Sequence, residues 1–480
     1  IMDTKKRTIQ LIIGPVLFAI ASVALKGAIG GPGAMAIGTL LWMVFWWVTQ
    51  PVALTVTAFL PVGVNAIFGM VEMGDVISQY ASGSIILVFG SCLLTIPWAT
   101  TGLDRRVALK VLSLVGPSMK SQITVWLLAS MIFSSCLPNV AVCALFTPIA
   151  VAMIHAAGYK DIKTAAPAVP ILLCIGWGAG LGGVGSPLGG AMNVAAIQFF
   201  QEWSGHEFMY VDWIVRILPF FILTAILTLS LMYFFFTRKG EKLEGTKDYF
   251  EKAYAELGPM KNDEKICGIL FLLAMAGAFC RPLFANVLPA LEPAYIFAIL
   301  GSMSFILTRV GKDGKREPMM TWDHAQANVM WGMMLLFGGG LALGKVVNGS
   351  GAGEAIAKLI TDMHLTNDLA IVVVFVVFAV LISELTNSTV SAAVTVPIIL
   401  TLCTNLGLNP VPYWFILVMG YNAEFLLPVS VRAITVGNGL DADKQMKYGV
   451  PFVIARAILV IVLGYAFLKL WPMFGQLSYL

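Results

Sequence analysis

The chain has 480 residues, 59% of them apolar and only 12% charged, with a formal net charge of +4 and a mean hydropathy of +0.87. That balance excludes an ordinary soluble domain and a disordered chain, because most of the sequence must be dissolved in lipid or packed against parts that are. An all-α integral membrane protein is expected, with the lipid bilayer as its solvent and no nucleic-acid partner.

Runs of roughly 17 to 25 apolar residues are long enough to span a bilayer. In chain order they predict crossings near 8–29, 33–49, 52–70, 82–100, 165–200 (interrupted), 211–237, 264–284, 289–309, 328–348, 411–438 (interrupted) and 450–470, eleven in all. The first run is long enough to stay as a span rather than serve as a removable signal. Two stretches remain, 122–157 and 369–402. Each breaks at a polar tip after a first arm of about a dozen residues, so both are predicted to be re-entrant hairpins.

The two tips share a pattern. Ser134-Ser135-Cys136-Leu137-Pro138-Asn139-Val140 runs on to Thr147-Pro148-Ile149, and Ser383-Glu384-Leu385-Thr386-Asn387-Ser388-Thr389 runs on to Val396-Pro397-Ile398. Superposing the prolines places Ser134 on Ser383, Asn139 on Ser388 and Val140 on Thr389. Paired broken segments in two halves point to a transporter's binding site, since irregular backbone at membrane depth is tolerated only where it lines a cavity or is buried in protein.

Cytoplasmic loops carry the excess of lysine and arginine. In an eleven-span topology, 22 of the 30 basic residues fall on one side: Lys5, Lys6 and Arg7, the groups at 105–120, 160–163, 238–265 and 309–316, and Lys444 with Lys447. Lys26, Arg216, Arg281, Lys358 and Lys469 fall on the other. The N-terminus is therefore expected in the cytoplasm, with the first hairpin entering from that side and the second from outside. The expected organisation is an N-terminal span (1–33), a first repeat (34–237), a cytoplasmic linker helix (238–263) and a second repeat (264–480). Each repeat has an odd number of crossings, so the second is inverted relative to the first.

A helix arm starting in mid-membrane aims free N–H groups and the positive end of its dipole into the cavity, where anions are favoured. Pro138 and Asn139 open one such arm; Asn387, Ser388 and Thr389 open the other, with side chains able to cap a helix or donate to a carboxylate. The bland reading is that both tips are only helix caps. The glycine-rich run 176–190, containing Gly185-Ser186-Pro187, cannot be a straight helix. Its counterpart, 421–439, holds Glu424, Ser430 and Arg432 at bilayer depth, where charge is expensive and by default functional. Arg432 either holds a substrate carboxylate in its planar fork or is the structural partner of Glu424 or Glu384.

This order of hairpin, unwound crossing, inverted hairpin and unwound crossing resembles the divalent anion:sodium symporter family, which includes di- and tricarboxylate transporters. The family's tips carry Ser-Asn-Thr ten residues before a Pro-Ile pair; at that spacing this chain has Pro138-Asn139-Val140 and Asn387-Ser388-Thr389. The family's unwound loops carry a Thr-Pro-Pro-Asn-like turn. Here the first reads Ser186-Pro187-Leu188-Gly189, and the second is shortened so that Arg432 falls near the asparagine position. The resemblance covers nearly the whole chain and implies an elevator transporter of dicarboxylate anions, usually a homodimer, in a bacterial cell membrane. It marks Pro138, Asn139, Val140, Gly185, Ser186, Pro187, Asn387, Ser388, Thr389, Ser430 and Arg432 as the substrate-site positions.

The departures bear on coupling. Family members that use sodium bind it with oxygens of the tips and loops, and Pro138 and Val140 lack hydroxyls. A guanidinium beside a bound cation at low dielectric costs several kcal/mol. Arg432 is therefore expected to substitute permanently for sodium, giving sodium-independent exchange of four- and five-carbon dicarboxylates such as succinate, malate or 2-oxoglutarate. The alternative is a sodium-coupled di- or tricarboxylate symporter, and a channel is more remote. No cofactor or metal site is expected. Cys92, Cys136, Cys143, Cys174, Cys267, Cys280 and Cys403 form no C-x-x-C pair and read as small buried hydrophobes. His155, His206, His324 and His364 are scattered, which argues against an enzyme. The stretch Gly178–Gly183, with Glu202 beyond it, fits G-x-G-x-x-G but lies in a crossing without βαβ context. Lys345 reads as a snorkelling side chain.

Overall fold

The computed structural model describes residues 4–238, 242–311, 315–355, 367–422, 424–428 and 430–477; Lys239, Lys312, Lys358, His364, Ala423 and Val429 lie outside the described residues. Helices α1 (Thr4–Ala24) and α2 (Lys26–Thr49) pack on each other. They approach closely at Gly38, where a Cβ would sit 2.8 Å from the Phe18 carbonyl oxygen. The crossing expected at 52–70 is broken into α3 (Leu54–Thr57) and α4 (Leu60–Phe68), with Pro61 in the first turn of α4. After the short α5 (Met73–Ser78) comes α6 (Gly83–Thr101).

An amphipathic helix unforeseen in the sequence, α7 (Leu103–Leu112), leaves from Gly102 at a φ of 85°. Its Arg106 is buried, bonded to Glu264 at 2.7 Å and to the carbonyls of Leu257, Gly258 and Pro259. The hydrogen bond to Glu264 raises the Arg106 pKa above its ordinary value and keeps it charged. The stretch 242–263 contains a helix, α13 (Thr246–Ala255).

The first hairpin is α8 (Met119–Ser134) and α9 (Asn139–Ala156); the broken crossing is α10 (Ala168–Gly182) and α11 (Ala191–Ser204), followed by α12 (Tyr210–Phe236). The second half runs α14 (Asn262–Phe279), α15 (Arg281–Phe284), α16 (Pro293–Ile306), a small antiparallel hairpin of β1 (Thr308–Val310) and β2 (Arg316–Pro318), α17 (Trp322–Asn328) and α18 (Trp331–Gly349). The second helical hairpin is α19 (Asp368–Leu385) and α20 (Ser388–Asn405). The second broken crossing is α21 (Pro410–Tyr421) and α22 (Arg432–Gly437), and α23 (Ala442–Leu470) closes the fold.

Ten helices among the described residues are long and apolar enough to cross a bilayer, and the chain is an all-α membrane protein. One expectation fails. The first arms of the hairpins have 16 and 18 residues rather than a dozen, about 24 and 27 Å at 1.5 Å per residue. The polar residues Lys120, Ser121 and Gln122 are helical, capped by the Ser118 hydroxyl, so α8 starts before its apolar run. Arm length alone therefore does not force a hairpin to turn back.

The two halves interlock. The α8/α9 hairpin packs on α10 and the α19/α20 hairpin on α21, while α11 packs on α20 and α22 on α9. This assembly shares one buried apolar core. Helices α1 to α5 and α18 form a second core beside it. Against α6, α16 comes so close that a Cβ at Gly90 would lie 2.5 Å from the Ala298 nitrogen.

Candidate functional site

Unwinding a helix inside a hydrophobic assembly frees backbone groups that must find partners. In the first crossing the partners are side chains. Ser134 Oγ donates to the Ala179 carbonyl at 2.6 Å and Ser135 Oγ to that of Gly182 at 3.0 Å. Trp213 donates to the Val184 carbonyl at 2.8 Å, and the Asn193 amide to those of Gly183 and Ser186 at 2.7 and 2.9 Å. The Ser186 hydroxyl is bonded to the Ser135 carbonyl. The Asn193 Oδ1 is buried without a partner among the described residues. Reversing that amide, whose O and N positions are assigned from hydrogen bonding, would turn three oxygens toward one another, a donor set suited to a small hard cation.

The second crossing repeats one contact and replaces the rest. Ser383 Oγ donates to the Tyr421 carbonyl at 2.6 Å, the counterpart of the Ser134–Ala179 bond. Where the first tip has Ser135, the second has Glu384, whose carboxylate accepts the N–H groups of Phe425 and Leu426 at 2.7 and 2.9 Å. The freed carbonyls of Phe425 and Leu426 accept from Trp177 and Gln445. Glu424 Oε1 accepts both the backbone N–H and the hydroxyl of Ser388, each at 2.6 Å. Arg432 bridges the two acids, 3.2 Å to Glu384 and 3.3 Å to Glu424, and is 1% exposed.

These contacts bear on the alternatives for Arg432. It pairs with both glutamates, so the guanidinium is not alone, and the argument that a lone positive charge excludes sodium loses its premise. The anion-binding start of α20 is likewise already taken, by Glu424. Asn387 caps α20 through its Oδ1 on the Val390 N–H at 3.0 Å. The Thr389 side chain takes no hydrogen bond among the described residues, while Ser430 is exposed in the left-handed region at a φ of 54°.

The first tip is more open. Pro138 and Asn139 line a cavity of about 40 Å³ with Ser91 of α6 and Gly190. Pro138 and Val140 border a larger, mainly apolar cavity of about 400 Å³ between α6, α9 and α17. Asn139 Oδ1 accepts the Val140 N–H at 2.9 Å, leaving Nδ2 without a partner among the described residues. Ser186 and Pro187 are buried, and Gly185 is small because a Cβ there would run into Ser135.

Sequence reasoning missed Asn193, whose role depends on tertiary contacts, and Arg456 of α23. Arg456 is 1% exposed, its Nη2 donates to the Met419 carbonyl at 3.0 Å and its guanidinium lies 5.3 Å from the Phe220 ring centre. An arginine within a predicted span was the available signal. Lys345 does not simply snorkel. It pairs with Glu202 at 3.0 Å beside a cavity of about 410 Å³ between α11, α18 and α20.

Comparison with known proteins agrees with this architecture. The chain is 27% identical over 473 residues to the sodium-dependent dicarboxylate transporter SdcS of Staphylococcus saprophyticus, covering 96% of this chain and 91% of that one. It is 26% identical over 471 residues to SdcS of Staphylococcus aureus, with 95% and 90% covered. The YdaH transporter of Alcanivorax borkumensis shares the fold at a TM-score of 0.51 and 13% identity, over 86% of this chain and 90% of that one. A citrate transporter family model (CitMHS) matches residues 44–420. The chain is thus a transporter rather than an enzyme, and it belongs to the citrate transporter family.

Proposed function

We propose that this protein is a sodium-coupled symporter of di- or tricarboxylates. The observation that carries the coupling is the pairing of Arg432 with Glu384 and Glu424 at 3.2 and 3.3 Å. The case for exchange without sodium rested on a buried, unpaired positive charge that holds the empty site still, and here that charge is paired with two carboxylates. Two relatives spanning nine-tenths of their own length carry the name of sodium-dependent dicarboxylate transporters, which supports symport over the exchange expected from the sequence.

In this reading the substrate carboxylate sits at the start of α9, the hairpin helix end not closed by an internal acid. Asn139 Nδ2 and the helix dipole favour it there, and Thr389 offers a hydroxyl from the second tip. Sodium would be held by oxygens of Gly183, Ser186 and Asn193. The repeated Ser134–Ala179 and Ser383–Tyr421 contacts support two inverted repeats whose hairpins and broken crossings move together past the remaining helices as an elevator. Re-entrant hairpins, a cytoplasmic N-terminus and a homodimer belong to the same reading. Uptake of labelled succinate and citrate into proteoliposomes, with an inward gradient of sodium against one of choline, tests it. Equal initial rates in the two salts would sink the sodium reading.

A further inference from the structure

We infer that the substrate carries an apolar body between its two carboxylates, so that this carrier prefers diacids with a hydrocarbon chain longer than that of succinate or malate, such as adipate or suberate. The inference deepens the proposed function and rests on its placement of one carboxylate at the start of α9. Two cavities meet there. The small one, about 40 Å³, holds Asn139; the large one, about 400 Å³, lies between α6, α9 and α17, and Pro138 and Met330 line both. The large cavity has the size and the lining of a small-molecule pocket, mostly apolar with a few polar groups that fix orientation.

The polar groups sit at the two ends. At the inner end Asn139 Nδ2 has no partner among the described residues. At the outer end are half-buried His324 and exposed Asn328, together with Asp104, whose Oδ1 accepts the Arg105 N–H at 2.6 Å. Between the ends the wall is apolar, with Val140, Ala141, Ala144 and Leu145 from α9 and Ile96 and Ala99 from α6. The hydroxyls of α6 do not soften it, since Ser91, Thr95 and Thr100 donate to the Leu87, Ser91 and Pro97 carbonyls of their own helix. No lysine or arginine among the described residues lines either cavity. A short diacid anchored at Asn139 would leave its second carboxylate against this wall, where an unpaired charge is costly. Citrate would add a third carboxylate and a hydroxyl there. A longer chain instead buries its methylenes against Val140, Ala144 and Leu145 and carries the far carboxylate to the mouth, where it keeps its water and meets the nitrogen-bearing side chains of His324 and Asn328.

Calorimetry of the protein in lipid nanodiscs, in sodium buffer, with succinate, glutarate, adipate, suberate and citrate tests this. Affinity should rise about fourfold for each methylene buried, so adipate and suberate should bind more tightly than succinate, and citrate more weakly than adipate. Ala144→Phe on α9 and Ala99→Phe on α6 fill the cavity from two walls; both positions are exposed, so the fold should survive, and the unfolding midpoint checks that it does. Each variant should bring the ratio of suberate to succinate affinity towards one, which partitioning of the acids into lipid would not do. A flat or falling series in the wild type, or a ratio that both variants leave intact, overturns the inference. Sodium-driven succinate uptake beside a flat series overturns the long-chain preference while leaving the carrier reading standing. A rising series with uptake equal in sodium and choline upholds the preference while sinking sodium coupling.

Discussion

Replacing Arg432 with methionine tests the buried triad most severely. The guanidinium is 1% exposed and holds two carboxylates at 3.2 and 3.3 Å. Removing one member of a buried ion pair costs roughly 3–5 kcal/mol because the partner's charge stays buried and unmatched. Here two like charges would be left facing each other, which places the cost at the upper end. Against this, the Arg432 Nε has no hydrogen-bond partner among the described residues, and relieving such a group returns about 1–3 kcal/mol. The net expectation is a loss of about 3 kcal/mol, a large part of the roughly 5–15 kcal/mol that holds a typical domain folded. Thermal unfolding in detergent, followed by tryptophan fluorescence at a fixed scan rate because such transitions are often irreversible, should show a clear drop in the midpoint. Arg432→Lys should recover part of it, since the charge remains but the bidentate fork is lost. The triple variant Arg432→Met, Glu384→Gln, Glu424→Gln should recover more, because no two unmatched carboxylates are left facing each other. A single Arg432→Met variant as stable as the wild type would refute the triad.

Other outcomes follow from the same geometry. Asn139→Ala and Thr389→Ala should each weaken substrate binding in calorimetry without lowering the unfolding midpoint, and unchanged affinity in both would remove the tips from the site. Asn387→Ala should cost about 1 kcal/mol of stability through loss of the α20 cap, whereas Asn387→Ser should be nearly neutral; equal effects would show that the cap does not matter. Gly90→Ala should force α6 off α16 and cost roughly 1–3 kcal/mol by overpacking, read as a lower midpoint. Arg106→Ala should destabilise by roughly 3–5 kcal/mol, since Glu264 stays buried without its partner, and Arg106→Ala with Glu264→Gln should lose less.

Much of the fold was legible because membrane depth imposes strict rules on sequence. Ser134 and Ser383 were aligned from the chain alone, and in three dimensions each donates to the carbonyl where its neighbouring crossing unwinds. The helix end at Gly182 followed from the glycine- and proline-bearing run, and the end at Tyr421 lies in the stretch read as its counterpart. Arm lengths were misjudged because α8 begins in polar residues that hydropathy alone leaves outside. The amphipathic α7 was missed because ten residues with Arg105, Arg106 and Lys110 read as a charged loop. Arg432 was found, but its partners were not fixed, because the loop that brings Glu424 onto Ser388 has no regular period to read. The same is true of Asn193, whose amide serves two carbonyls of a loop before its own helix.

The central claim is that substrate movement is driven by sodium, and one measurement addresses it directly. Purified protein in proteoliposomes, with membrane potential clamped and equal pH on both sides, is given labelled succinate under an inward sodium gradient and then under an inward potassium or choline gradient. Sodium-coupled symport predicts accumulation above equilibrium into empty vesicles only in sodium. Uptake that ignores sodium and appears only when the vesicles are preloaded with dicarboxylate would contradict it and establish exchange instead.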